Sequence, residues 1–180
     1  KYYRRDSEVI YPPVRDPKIN IAAKLKKTED YYITVSRLSR PKHVDVLVDA
    51  ANKMGFPLYV LGKGKELVYL QSIAKSNVTI YGEVSDIELS RLLYGAKGFL
   101  FSSVDEEFGI APVEAMMHGV PVIAYKSGGL IETIQDGENG YLVDELSADA
   151  YIKAIKKFEK ADYTKLATNA HASAKKYSEE

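Results

Sequence analysis

The chain has 180 residues, 46% of them hydrophobic and 28% charged, with 25 basic and 25 acidic side chains and no cysteine. That length makes one domain burying roughly two thirds of its unfolded surface, and the composition is that of an ordinary globule. Lack of cysteine excludes disulfides, thiolate chemistry and cysteine-based zinc sites and suits a cytoplasmic protein, and no run of 18 apolar residues offers a membrane-spanning helix.

The chain opens on Lys1 without a secretory pattern and is expected to be a piece of a longer protein. Residues 1–28 read as a lead-in: Tyr2-Tyr3-Arg4-Arg5, a short run Glu8-Val9-Ile10-Tyr11, then Pro12-Pro13 and a lysine-rich stretch. Residues 29–180 read as one α/β domain. Strand-like runs fall at Tyr31–Val35, Leu58–Leu61, Val78–Tyr81, Gly98–Phe101, Pro121–Ala124 and Tyr141–Val143. Between the first two, Val44, Leu47, Val48, Ala51 and Met54 keep a 3.6-residue spacing, as do Ala148, Tyr151, Ile152, Ile155 and Phe158 later. Further helices are expected over 65–75, 86–94, 110–118, 129–135 and 163–177. Alternating β and α elements predict a six-stranded parallel sheet with helices on both faces, a Rossmann-like three-layer domain.

Charge is unevenly spread. Residues 1–65 carry 14 lysines and arginines against 7 acids, and residues 83–149 carry 3 against 13. Most of these are expected on solvated faces, with one or two early cations brought near a bound anion. No basic stripe interleaved with aromatics suggests nucleic-acid binding.

In such a sheet ligands bind beyond the carboxyl ends of the strands. Five loops there carry the candidate residues: Ser36 and Arg37, Gly62, Gly82 and Glu83, Ser102 to Gly109, and Ser127-Gly128-Gly129. In Glu106-Glu107-Phe108-Gly109-Ile110-Ala111-Pro112-Val113-Glu114, Gly109 lets the backbone bend before a helix, and Pro112 suits its first turn. Free amides at a helix start attract phosphate. Carboxylates repel it, so Glu106 and Glu114 are expected on sugar and ribose hydroxyls, a combination that suits a nucleotide-sugar. Arg37 and Lys42 are ordinary surface cations taken alone, and phosphate ligands if brought to that helix start. Gly62-Lys63-Gly64 lacks a dinucleotide or P-loop fingerprint and reads equally as a tight turn. Gly82-Glu83-Val84 is a strand end able to offer backbone groups to a base. Gly128-Gly129 permits a close ligand approach or simply starts a helix. Asp105, Glu106 and Glu107 are adjacent and cannot easily converge on one ion, so no metal is expected; His43, His118 and His171 have no ligand spacing, and His118 reads as structural.

Taken in order, Val35-Ser36-Arg37-Leu38 with Lys42, Leu61-Gly62-Lys63-Gly64, Val78 to Val84, the Glu106–Glu114 pair, Gly119 to Ala124 and Gly128-Gly129 resemble the C-terminal, donor-binding domain of GT-B fold glycosyltransferases of retaining family four. The resemblance implies that Arg37 and Lys42 hold the donor diphosphate, with Glu106 on the sugar and Glu114 on the ribose. It also implies that the amides of Phe108, Gly109 and Ile110 line the diphosphate and sugar, with Gly62 among the donor-binding positions and Val84 at the base. It implies no cofactor or metal, a sugar or lipid-linked acceptor held by a missing N-terminal domain, and work in the cytoplasm or at a membrane surface. Val9 to Val14 resembles the segment joining the two halves, and the acidic Glu107 is similar to mannosyltransferases, which points to GDP-mannose. Ser36, where many members have glycine, and His118 depart from the pattern. The alternatives are an epimerase or glycan phosphorylase half-domain, and a non-catalytic nucleotide-sugar-binding module; a phospho-receiver domain would need acids where Ser36 and Arg37 stand.

Overall fold

Four helices begin on side chains that satisfy an otherwise orphaned amide. Asn20 accepts from Ala23, Ser85 from Glu88, Ser147 from Ala150 and Asp162 from Lys165, at 3.1–3.3 Å. Each such cap is worth about 1 kcal/mol. In a computed structural model describing residues 8–179, they open α1 (Ile21–Lys26), α4 (Asp86–Gly95), α7 (Ala148–Phe158) and α8 (Tyr163–Ala174). The other helices are α2 (Val44–Met54), α3 (Leu67–Ile73), α5 (Ile110–Met117) and α6 (Leu130–Thr133). The strands are β1 (Tyr32–Val35), β2 (Leu58–Leu61), β3 (Val78–Gly82), β4 (Gly98–Phe101), β5 (Val122–Tyr125) and β6 (Gly140–Val143).

All six strands are parallel, in the order β3-β2-β1-β4-β5-β6. Alternate strand residues feed two apolar layers. Ile33, Phe99, Phe101 and Val122 join Val113, Met116 and Ala170 on one face. Tyr32, Leu58, Leu100 and Ile123 join Leu47, Tyr151 and Ile155 on the other. A strand buried on both faces must be apolar throughout, which is why Gly98-Phe-Leu-Phe101 shows no polar alternation.

Several boundaries shift for local reasons. Strand β5 starts after Pro121, which accepts from Phe99 N but has no amide to give the ladder. Helix α3 stops at Ile73, where Asn52 Oδ1 takes the amide of Lys75. Helix α6 ends at Thr133 because Ile134 turns extended and Asn139 Oδ1 captures the amide of Gln135. The final helix gives way after Ala174 to a 3-10 turn over Lys175–Tyr177. Tyr2-Tyr3-Arg4-Arg5 lies outside the described residues.

The stretch read as a lead-in packs on the domain. Val14 is buried and its amide donates to Tyr177 O at 2.7 Å, and the Tyr11 ring packs tilted against Phe108 and edge-on to Tyr177. Within α1, Lys24 is wholly buried, its ammonium donating to Ala96 O at 2.7 Å, Thr28 Oγ1 at 3.0 Å and Tyr163 OH at 3.2 Å. Burial lowers its pKa to about 8.

Candidate functional site

The strand order reverses between β1 and β4, so the loops leaving them open the crevice where ligands enter such sheets. The loop after β1 makes a 3-10 turn over Arg40–Lys42 before α2. Ser102 Oγ donates to Lys42 O at 2.7 Å and Val104 N to Pro41 O at 3.1 Å, fixing the β4 loop to this turn. Lys42 Nζ then donates to Glu106 Oε2 at 2.6 Å and to Ser103 Oγ at 3.0 Å. Both charged side chains are largely covered, 27% and 21% exposed.

Contacts between neighbouring loops run along the edge in the order of the strands. The carbonyl of Ser36 lies where a Cβ on Gly62 would stand, and that of Leu38 does the same for Gly64. Lys63 Nζ meets both carboxylate oxygens of Glu83, at 2.7 and 2.8 Å. On the far side, Gly128 and Gly129 lie against the carbonyls of Glu106 and Glu107, and Gly129 N donates to Glu106 O at 2.8 Å. Five loops are thereby tied into one rim. The glycines are needed for backbone against backbone; Gly62 and Gly128 also have φ of +124° and +55°.

Helix α5 opens at this rim without a side-chain cap, from Gly109 at φ +85°. Among the described residues, nothing accepts from the amides of Phe108, Gly109, Ile110 and Ala111. Unpaired donors and a positive helix end form an anion-binding surface, three residues beyond the carboxylate that holds Lys42.

The sequence-expected residues therefore fall as follows. Lys42, Glu106, Gly109 and Ile110 gather at the crevice. Arg37 stands exposed on the β1 loop, with no side-chain partner among the described residues. Gly62 is the seam supporting that loop. Phe108 turns its ring into an aromatic cluster with Tyr11 and Tyr177, leaving its amide at the rim. Val84 packs half-buried against the core beside β3. Glu114, one turn into α5, is half-buried in a cavity of about 520 Å³ with Arg15, Asp86, Ser90 and His118. Burial, reinforced by Asp86, raises the Glu114 carboxyl above the ordinary range, and Arg15 opposes the shift. His118 is buried, its Nδ1 2.8 Å from Glu114 O and its Nε2 2.9 Å from Ser90 Oγ, tying α5 to α4.

Sequence reasoning did not single out Ser102 and Ser103 as partners of Lys42, nor Arg15 and Asp86. Two hydroxyls directly after a wholly apolar strand were the available signal for the serines. Among the described residues no trio of histidine, aspartate and glutamate side chains gathers into a metal site.

A doubly wound parallel sheet with a cationic loop and an uncapped helix facing each other across its switch point defines a Rossmann-like α/β domain. Residues 16–177 match the family described as glycosyl transferases group 1, and the chain belongs to that family. A protein in the cps region of Klebsiella pneumoniae is 31% identical over 134 residues, covering 73% of this chain and 37% of that protein. Alpha-1,3/1,6-mannosyltransferase alg-2 of Neurospora crassa is 42% identical over 66 residues, covering 37% of this chain and 14% of that enzyme. HepE of Anabaena, solved with UDP and glucose, superposes with a TM-score of 0.78 at 25% identity, over 95% of this chain and 52% of that one. The galactosyltransferase WaaB shares the fold, with a TM-score of 0.79 at 20% identity over 96% of this chain and 52% of that one. The chain thus spans about half, or less, of the proteins it matches.

Proposed function

We propose that this chain is the donor-binding half of a retaining glycosyltransferase, a mannosyltransferase taking GDP-mannose for polysaccharide or glycolipid synthesis. The Lys42–Glu106 contact at the uncapped start of α5 carries the reading, since it brings a phosphate-binding cation and a hydroxyl-binding carboxylate to one row of amides. Arg37, Lys42 and the amides of Gly109 and Ile110 hold the diphosphate. Charge grows there as the glycosidic bond breaks, and fixed donors stabilise it without rearranging. Glu106 turns from Lys42 toward the sugar hydroxyls, and Glu114 takes the ribose. Val84 meets the base through its main chain. The cationic loop and helix amides carry the charge without a metal, so transfer persists in chelator.

The mannosyl preference is supported by the alg-2 likeness; the likeness to HepE, solved with UDP and glucose, supports a nucleotide-sugar donor in general. The acceptor, a sugar or lipid-linked glycan met in the cytoplasm or at a membrane surface, is held by a further domain. Calorimetry of this chain with GDP- and UDP-sugars tests the reading. Micromolar or tighter binding that Lys42→Ala weakens by about tenfold or more, the worth of one charge-assisted bond, is the expected result. Absence of binding to every nucleotide-sugar contradicts it, and full transferase turnover by the chain alone contradicts the division of labour.

A further inference from the structure

The turn that carries Lys42 has a second side. Lys42 leaves it toward Glu106, whereas Arg40 and the flanking Ser39 and His43 line a separate cavity of about 480 Å³ between α2 and α3. That volume lies in the range of small-ligand pockets, and none of Arg37, Lys42, Glu106 and Gly109 lines the space. Asp45 from the first turn of α2, with Glu66 and Tyr69 from the start of α3, completes the polar lining. Among the described residues none of these six side chains forms a hydrogen bond or an ion pair within the protein, although Ser39, His43, Asp45 and Glu66 are half-buried. Tyr69 is 48% exposed. Asp45 and Tyr69 also line a second hollow of about 320 Å³, which continues between the two helices past Val46 and Ile73. The walls are fixed: Leu38 N donates to Lys63 O at 2.9 Å, Glu66 N to Leu38 O at 3.1 Å, and Asn52 Nδ2 on α2 to Ile73 O on α3 at 2.8 Å.

We propose that this groove is a second glycan-binding site, apart from the transfer crevice, which holds a neutral pyranose chain with one unit packed on Tyr69. A cation entering it would meet Arg40. An anion, drawn by the uncapped start of α2, would meet Asp45 and Glu66. A neutral polyol uses both kinds of charge: the carboxylates accept from its hydroxyls, Arg40 donates to its oxygens, and Ser39 and His43 can do either. The exposed Tyr69 ring offers its negative face to the C–H groups on one side of a pyranose. Two hollows sharing Asp45 and Tyr69 suit successive units of a chain better than a single sugar. Arg40 stands two residues from Lys42, so a chain held here has its end within reach of the crevice, and a second hold raises its local concentration there. The choice of a glycan rests on the transferase reading of the neighbouring rim.

NMR titration of the isotope-labelled chain with mannotetraose, maltotetraose and inorganic phosphate, each with and without saturating GDP, tests this. At least one tetrasaccharide is expected to bind with a dissociation constant of about 1 mM or tighter, shifting the amides of Asp45, Glu66 and Tyr69 whether or not GDP is present. Tyr69→Ala should weaken that binding by at least about tenfold, the scale of one lost anchor residue, and Glu66→Gln by a smaller factor. Both should leave GDP binding unchanged, which also reports an intact fold; should Tyr69→Ala lose GDP as well, Glu66→Gln and Arg40→Gln carry the comparison. Neither tetrasaccharide binding while GDP binds overturns the glycan site and leaves the donor site standing. Sugar binding that GDP abolishes, or that Tyr69→Ala and Glu66→Gln leave untouched, overturns it too, because the sugar then sits elsewhere. Phosphate shifting the same amides with no response to sugar makes the cavity an anion site and overturns the proposal. Failure of GDP to bind contradicts the donor reading whatever the sugars do.

Discussion

Lys42 Nζ lies 2.6 Å from Glu106 Oε2, joining loops 64 residues apart across the point where the sheet reverses direction. The pair is not long-range scaffolding alone, because Ser102 Oγ on the Lys42 carbonyl and Val104 N on the Pro41 carbonyl already fix the same two loops. Removing either charge should therefore cost little stability, up to about 1 kcal/mol, while Lys42→Met in the full-length enzyme should lower kcat by about a hundredfold, the scale of a lost oxyanion donor. Urea titration and initial rates on the same preparations separate the two effects.

The glycine seams give a second prediction. A Cβ on Gly128 would stand 2.0 Å from the Glu106 carbonyl, at φ +55°, so Gly128→Ala must push the acidic loop away. A loss of at least about 2 kcal/mol is expected, from steric conflict added to backbone strain. Gly55→Ala shares the positive φ, +84°, but meets nothing within 4 Å; it should cost only about 1–2 kcal/mol. Thermal denaturation of both variants checks the contrast, and Gly128→Ala alone should also weaken donor binding.

Glu114 sets stability against binding. Burial and Asp86 raise its pKa, so the folded state holds its proton more tightly than the unfolded state does. Stability contributed by this group therefore falls as pH rises from the ordinary carboxylate range through the raised value, and the penalty is complete above it. Glu114→Gln is expected to raise Tm at pH 7, to lose that advantage near pH 4, and to weaken every ribonucleotide. Melting curves at the two pH values give the sign.

Lys24 behaves in the opposite sense with pH. Its folded pKa of about 8 lies below the ordinary lysine value, so between these the unfolded chain binds more protons and stability rises with pH. Lys24→Met should lack that rise. The difference in unfolding free energy between the two proteins should change by roughly 2–3 kcal/mol from pH 7 to pH 10, measurable by urea denaturation.

Strand order aside, the fold was readable because short apolar runs such as Gly98–Phe101 alternate along the chain with segments of 3.6-residue spacing. The candidate site was readable one residue at a time: Arg37, Lys42, Glu106, Gly109 and Glu114 each showed a suggestive type in a suggestive loop. Their mutual arrangement was not. Nothing local tells that Gly62 must clear the Ser36 carbonyl, 26 positions earlier, or that Glu106 occupies Lys42. Lys24 is the clearest case. In a lysine-rich stretch it reads as solvated, and its burial depends on Tyr163, 139 residues away, and on a carbonyl at the end of α4. Arg15, between Val14 and Pro17, similarly acquires meaning only when α4 and α5 are placed opposite it.

The most direct test is a crystal structure of this chain with GDP. The account predicts phosphate oxygens within hydrogen-bonding distance of the Gly109 and Ile110 amides and of Lys42, and ribose hydroxyls on Glu114. Nucleotide lodged instead in the separate cavity of about 480 Å³ lined by Arg40, His43 and Tyr69, with the start of α5 uncontacted, would contradict it.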